Sequence, residues 1–180
     1  MARRSKQGDD ILYLILESAG SKSLLQSLYE QCDAPVWQPL FRETQWAPYE
    51  DESPLVIQTA RDSDLHRWAL DGIGKTGELS GLMIESDERL EAVLRWARER
   101  LTVALGGTRK GLLRFYDPLI WHSLKPRDIG QQGIVNCVVY LHGSPENGEW
   151  LTSLNPEPVT MTEVPMLEPE QLHNLGLGSV

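Results

Sequence analysis

The chain has 180 residues, of which 41% are hydrophobic and 24% charged, and its formal net charge at pH 7 is −9. This length and apolar content predict a single folded domain rather than a disordered chain. The acidic balance argues against a general nucleic-acid binder, which needs basic residues to displace the counterions of the phosphates. The two cysteines, Cys32 and Cys137, are too few for a disulfide framework and are typical of a reducing cytoplasm.

The first ten residues, MARRSKQGDD, predict a disordered basic segment ahead of the fold. The apolar run at residues 11–16 is shorter than the ~7–15 residues of a signal peptide's apolar core. Asp9 and Asp10 also separate it from the basic residues. No apolar run in the sequence approaches the ~20 residues of a membrane-spanning helix. We therefore expect an unexported protein without membrane insertion.

The first part of the chain shows strand and helix signals in alternation. Residues 11–16 (ILYLIL) are continuously apolar, which predicts a central strand covered on both faces. Residues 24–32 carry apolar side chains at helical spacing. The extended piece between Pro35 and Pro39 is too rich in proline for a central strand.

The remaining elements continue this alternation. Ser86 is predicted to cap the clearest helix, residues 87–101, whose apolar residues form one stripe. The other predicted elements are an exposed loop at 43–54, strands at 55–59, 79–85, 112–116, 134–141 and 149–154, a helix capped within 62–64, and a short helix from Pro118. The pattern predicts an α/β fold with a single mixed, largely parallel sheet and helices on both faces.

The composition changes toward the C-terminus. No Lys or Arg follows Arg127, and residues 144–180 carry six glutamates and five prolines. We predict that an α/β domain occupies residues 11–155 and that residues 156–180 form an extended, acidic, proline-rich arm. Glu168-Pro169-Glu170 is predicted to form the first turn of a short final helix that reaches Leu175, with Gly176 ending it.

Two carboxylates, Glu17 and Asp117, follow predicted strands. Binding and catalytic sites of α/β sheets lie beyond the carboxyl ends of the strands, so a small hydrolase that uses both groups is the enzymatic hypothesis. The structural hypothesis is a local ion pair or turn lock between Arg114 and Asp117, with Asp117-Pro118 capping a helix. The sequence contains no motif for a catalytic nucleophile, a metal or a cofactor, and we favour the structural hypothesis.

Aromatic residues in loops are typical anchors for protein partners. The chain has six tryptophans, several of them in or beside predicted loops. We predict that Trp46 and Tyr49, in the polar loop at 43–54, bind a partner, and that Trp121 and Trp150 are the next candidates.

The order of the motifs resembles a known family over residues 11–125. An apolar strand ends in Glu17, Ser53-Pro54-Leu55-Val56 precedes a helix with a tryptophan, and Arg114-Phe115-Tyr116-Asp117-Pro118 follows an arginine-rich helix. This pattern is similar to the type VI secretion system effector chaperone or adaptor family. That family, also called the Tap/TEC type, was long catalogued as a domain of unknown function. It has Asp where this chain has Glu17.

The resemblance implies a non-enzymatic adaptor of the bacterial cytoplasm that needs no cofactor. Its partners would be a cognate type VI effector and the VgrG spike or its PAAR tip, without nucleic acid or membrane insertion. The implied mechanism is stoichiometric: the adaptor binds and shields the effector, and then helps to load it onto the spike. The residues that match the family motifs, with an expected structural role, are Glu17, Pro54, Leu55, Arg114, Phe115, Tyr116, Asp117 and Pro118.

Overall fold

The computed structural model describes residues 11–20, 22–104, 108–124, 134–154 and 169–176. The predicted disordered segment 1–10 and most of the predicted arm 156–180 lie outside the described residues. None of the helices in the described ranges has the length and apolar character that a membrane crossing requires.

The described residues form eight strands and five α-helices. The strands are β1 (Ile11–Ser18), β2 (Val36–Pro39), β3 (Leu55–Ala60), β4 (Leu79–Glu85), β5 (Thr102–Ala104), β6 (Lys110–Leu112), β7 (Cys137–His142) and β8 (Glu149–Leu154). The helices are α1 (Leu24–Gln31), α2 (Asp64–Asp71), α3 (Leu90–Glu99), α4 (Pro118–Leu124) and α5 (Pro169–Asn174). Six strands form one sheet in the order β2-β3-β1-β4-β7-β8, and β5 and β6 form a separate hairpin.

The main sheet is antiparallel, so the prediction of a largely parallel sheet is wrong. Every hydrogen-bonded strand pair among the described residues is antiparallel. In the unit β3-α2-β4 the two strands are parallel to each other, but β1 lies between them and pairs with both. β3 separates β1 from β2 in the same way. Such split strand–helix–strand units give the alternation of a parallel sheet although adjacent strands are antiparallel.

The continuous apolar run of β1 follows from its central position. Side chains alternate between the two faces of a strand, and here both faces are covered. Tyr13 and Ile15 lie in the core on one face, and Leu14 and Leu16 lie in the core on the other. All four side chains are at most 1% exposed. The prediction of a central strand covered on both faces is confirmed.

Helices cover both faces of the sheet, as predicted. We call the hydrophobic core on the face of Tyr13 and Ile15 core A. There these two side chains pack with Val93, Trp96 and Ala97 of α3. The stripe of apolar residues on α3 therefore faces the sheet, as its helical spacing predicts.

We call the hydrophobic core on the opposite face core B. It packs Leu14 with Leu28 of α1 and with Leu65 and Ala69 of α2. α2 begins at a capped end, because the Ser63 hydroxyl accepts a hydrogen bond from the His66 N–H at 3.1 Å. The two cores hold the ends of the strands at fixed positions, and the candidate site lies at one of these ends.

Gly81 allows β4 to approach β1 closely. It lies opposite Leu16 and has a φ of +154°. A Cβ atom at this position would lie 1.9 Å from the carbonyl oxygen of Ile15. Only glycine fits this place in the sheet.

α3 begins later than predicted, and Ser86 does not cap it. The N-cap position is Arg89, whose side chain makes no capping hydrogen bond. The Ser86 hydroxyl donates to the carbonyl of Ile134 and accepts a hydrogen bond from the Glu88 N–H. Ser86 therefore joins the end of β4 to the segment before β7.

α5 begins at Pro169, inside the predicted first turn, and it packs on α4. The Gln171 amide donates to the carbonyl of Leu124 at 3.2 Å, and the Asn174 amide donates to the carbonyl of Ser123 at 3.0 Å. The part of the predicted arm that the structure describes, residues 169–176, is therefore attached to the domain.

Candidate functional site

Glu17 and Arg114 meet at one end of the sheet. Glu17 lies near the end of β1, and Arg114 lies between β6 and α4. Arg114 Nη2 donates to Glu17 Oε1 at 2.6 Å, an ion pair that spans 97 positions of the chain. We define Glu17, Arg114, Tyr116 and Asp117 as the motif junction. The predicted local ion pair of Arg114 is replaced by this long-range one.

Burial governs the ionisation of the motif junction. It raises the pKa of the Glu17 carboxyl, and the Arg114 guanidinium partly opposes this shift. Burial and the Glu17 charge raise the pKa of Tyr116 to about 12. For Arg114, burial acts to lower the pKa, but the neighbouring Glu17 charge contributes to a net upward shift. The junction is an ion pair beside a phenol that stays protonated at neutral pH.

Asp117 forms the N-terminal cap of α4. Its Oδ1 accepts a hydrogen bond from the Leu119 N–H at 2.8 Å, and Pro118 occupies the first helical position. The Asp117 N–H donates to the carbonyl of Arg114 at 3.0 Å and closes the preceding turn. The helix cap predicted from the sequence is present, whereas the contact between Arg114 and Asp117 is a backbone hydrogen bond of the turn and not the predicted ion pair.

Phe115 and Tyr116 anchor the junction in core A. Their side chains are 1% and 2% exposed, and their rings make an edge contact at 5.8 Å between centroids. Phe115 also makes an edge-to-face contact with Trp96 of α3 at 5.9 Å. The motif from Arg114 to Pro118 thus joins core A to the ion pair and to the start of α4.

Pro54 and Leu55 have structural roles in the sheet. The Pro54 carbonyl accepts a hydrogen bond from the Leu40 N–H at 2.9 Å, which continues the pairing of β2 with β3. Leu55 is 7% exposed and lies opposite Leu16 of β1 in core B.

Trp46 and Tyr49 differ in their exposure. Trp46 packs against core A, and its indole Nε1 donates to the hydroxyl of Thr102 at 3.0 Å. Tyr49 lies in a 3₁₀ segment, Ala47–Glu52, and is 57% exposed. Of this pair, Tyr49 is the side chain that a partner can contact freely.

Trp121 and Trp150 differ in the same way. Trp121 is 3% exposed in core A, where its Nε1 donates to the Ser153 hydroxyl at 3.1 Å. Trp150 is 39% exposed on β8, with part of its indole ring against Gly74. Trp121 therefore lies inside the fold and Trp150 lies at its surface.

A family model described as a domain of unknown function, DUF4123, matches residues 12–128. The match spans more than half of the chain and includes the whole motif junction. The chain belongs to this family. No curated protein and no solved structure matches it.

The motif junction of this DUF4123 chain has the contacts of a structural cluster. The Glu17 carboxylate binds Arg114, and the Asp117 carboxylate accepts the backbone N–H groups of α4. Glu17 and Asp117 are close enough for the Asp117 charge to contribute to the raised pKa of Glu17. Within the described ranges, no group of three or more His, Cys, Asp or Glu side chains is placed to hold a metal ion.

Arg98 of α3, whose side chain is 17% exposed, makes structural contacts with the segment after β2. Its guanidinium pairs with Glu43 at 2.8 Å and donates to the carbonyls of Pro39 and Leu40 at 3.3 Å. Arg98 lines a groove of about 620 Å³ between α3 and the segment after β2. It fixes that segment against the helix.

Several exposed apolar side chains were not predicted from the sequence. Leu154 on β8 is 58% exposed, Leu119 on α4 57%, and Val36 on β2 51%. The signal for Leu154 was present in residues 149–154 (EWLTSL), whose alternation places Trp150 and Leu154 on one face of a strand.

Proposed function

We propose that this DUF4123 protein is a non-enzymatic adaptor that binds a type VI secretion effector and helps to load it onto the VgrG or PAAR spike. The observation that carries the proposal is the family match over residues 12–128. It covers the same motifs on which the resemblance to effector chaperones depends.

The contacts of the motif junction favour binding over catalysis. A two-carboxylate hydrolase needs one acid that gives or takes a proton and one that activates water or attacks the substrate. In this chain Glu17 holds Arg114, and Asp117 holds the first turn of α4. Both carboxylates are engaged in the fold, which supports an adaptor.

The exposed aromatic and aliphatic side chains supply apolar area that a protein partner can cover. Tyr49 and Trp150 are the two predicted partner-binding residues that are exposed, and Leu119 and Leu154 add apolar area. Aromatic anchors of this kind contribute most of the binding energy of protein interfaces. The proposed mechanism is stoichiometric binding in the bacterial cytoplasm followed by transfer to the spike.

Co-expression with the product of the adjacent reading frame tests the proposal. We expect a complex that survives size-exclusion chromatography, because an adaptor must hold its effector until loading. Tyr49→Ala should weaken this complex without changing the melting temperature. Tyr29→Ala, at a tyrosine of α1 that is 50% exposed, is the matched control and should bind like the native chain. Absence of any complex would overturn the proposal, and a hydrolase activity that Glu17→Gln abolishes would favour the enzymatic hypothesis instead.

A further inference from the structure

The main sheet ends in two edge strands, β2 and β8, and the two edges differ. An edge strand presents unpaired N–H and C=O groups, to which another strand can add. Proteins block such edges with proline, charged side chains or bulges. The hydrogen-bonding phase of the ladders determines which residues face outward at each edge.

The outer edge of β2 is closed. The Leu40 N–H donates a hydrogen bond to the Pro54 carbonyl. In this register the backbone groups of the even-numbered residues of β2 bond to β3, whereas those of Trp37 and Pro39 face outward. Pro39 has no N–H, and Arg98 occupies its carbonyl. Pro35, two residues before Trp37, also lacks an N–H. Trp37 alone is left to donate from this edge.

The phase of β4 follows from the hydrogen bond that the Ala19 N–H donates to the Glu78 carbonyl at 2.8 Å. This bond continues the β1–β4 register, in which the backbone groups of every second residue of β4 bond to β1. The backbone groups of Met83 therefore face β7. Met83 lies opposite Val139 of β7.

Because Val139 bonds to β4, its neighbour Val138 bonds to β8, opposite Ser153. The backbone groups of Trp150, Thr152 and Leu154 therefore face away from the sheet. None of these three residues is a proline or a lysine, and no described residue pairs with them on the outer side. Among the residues that the structure describes, nothing covers the outer edge of β8.

The side chains of the same three residues form an exposed strip on the core B side of the sheet. Trp150 lies opposite Leu141 of core B, and Thr152 and Leu154 continue the same face. Trp150 is 39% exposed, Leu154 is 58% exposed, and Thr152 is exposed. An open edge with large apolar side chains is a typical site for strand addition.

The charged residues of the segment that contains β7 and β8 are all acidic, and Lys75, next to the Gly74 that contacts Trp150, is paired with Asp71. Residues 134–154 contain no Lys or Arg, whereas Glu146 and Glu149 are exposed at the β7–β8 turn. Neither carboxylate forms an ion pair within the described part of the chain. A partner segment with a Lys or Arg at this end would complement the charge.

We propose that the outer edge of β8 binds an extended segment of the effector as an additional strand. The segment carries apolar side chains at alternate positions beside Trp150 and Leu154, and a basic residue at the Glu149 end. Its backbone pairs with the outward groups of Trp150, Thr152 and Leu154. This inference rests on the proposed function and identifies one surface through which that function is performed.

Thr152→Pro tests the strand addition directly. The Thr152 N–H faces outward, so proline removes it without breaking a hydrogen bond to β7. Thr152→Val keeps the N–H and the branched side chain, and it is the matched control. With the adjacent reading-frame product as the probe, we expect Thr152→Pro to weaken binding about tenfold or more and Thr152→Val to change it less than about twofold. Equal binding by the two variants would overturn the proposal.

Amide hydrogen exchange supplies a second measurement that needs no variant. The amides of Trp150, Thr152 and Leu154 should exchange rapidly in the isolated chain and slowly in the complex. Slow exchange in the isolated monomer would mean that another segment of the chain covers the edge. Slow exchange only in a homodimer would mean that a second copy covers it. Either result, or a complex in which these amides still exchange rapidly, would overturn the proposal, whereas the absence of any complex would show that the proposed function itself is wrong.

Discussion

The Arg114 guanidinium bonds to the Glu17 carboxylate at 2.6 Å and so connects the end of the central strand to the turn before α4. The two residues lie on segments that share no hydrogen-bond ladder, since β1 belongs to the main sheet and Arg114 follows the β5–β6 hairpin. The ion pair therefore fixes the position of α4 relative to the sheet.

The two members of this pair should respond differently to substitution. Arg114→Leu removes the cation and leaves Glu17, whose side chain is 24% exposed, without a partner. We expect a loss of about 1–2 kcal/mol of unfolding free energy after allowance for solvent screening. Glu17→Gln removes a carboxylate whose charged form burial disfavours, and its amide oxygen can still accept from Arg114. It should cost less than about 0.5 kcal/mol by urea denaturation. A larger loss in Glu17→Gln than in Arg114→Leu would contradict this account.

Asp117→Ala should destabilise α4. The variant lacks the oxygen that accepts the N–H groups of Leu119 and Ile120, at a cost of about 1 kcal/mol. Asp117→Ser retains a capping oxygen and should melt close to the native temperature. Thermal unfolding of the two variants side by side tests the capping role. A lower melting temperature in Asp117→Ala that Asp117→Ser restores indicates a cap, because serine can replace the capping oxygen but not a catalytic acid.

The sequence pattern predicted the local features of this site but not its long-range contacts. The Asp117 cap and the central position of β1 follow from neighbouring residues, and both are confirmed. Whether neighbouring strands are parallel or antiparallel depends on the order of the strands in the sheet. The local sequence does not show that β1 lies between β3 and β4. The contact of Arg114 with Glu17 likewise joins segments that become neighbours only in the fold.

Trp121 illustrates why the partner-binding residues were only partly identified. Its position beside a predicted loop favoured exposure, but the fold provides the Ser153 hydroxyl as a buried acceptor for its indole N–H. A tryptophan with such an acceptor can lie in a core without an unsatisfied donor. The acceptor lies on β8, and the spacing along the sequence does not reveal it.

Gly81→Ala should prevent normal folding. The added Cβ would lie 1.9 Å from the Ile15 carbonyl oxygen, which is backbone and cannot move without separating β1 from β4. We expect mostly insoluble protein, or a soluble fraction without a cooperative melting transition. Gly20→Ala is the matched control, since its new Cβ would have 3.9 Å to the nearest Glu78 atom. A cooperative native-like transition in Gly81→Ala would show that the β1–β4 pair tolerates a wider spacing.

The stability of the fold should decrease in mild acid through His66. This side chain is 7% exposed, and its Nδ1 accepts the Asp62 N–H at 3.0 Å. Burial, with the nearby charge of Arg61, lowers the pKa of His66. The unfolded chain therefore binds more protons than the folded chain from about pH 6.5 downward, so stability falls until the folded pKa is passed.

The matched variant for this prediction is His66→Asn, whose amide oxygen can accept the same N–H without titrating. Urea unfolding from pH 7.5 to pH 5 should show a shallower dependence on pH in the variant. The same slope in both proteins would assign the acid sensitivity to other groups.

The position of β1 between β3 and β4 has a consequence for synthesis. β1 is translated before both of the strands that pair with it, the later of which ends at Glu85. Until then the nascent chain displays the apolar run from Leu12 to Leu16 without a partner, which is a hazard for aggregation. We expect the yield of soluble protein to depend on how quickly residues up to 85 are translated and on chaperones that bind nascent chains.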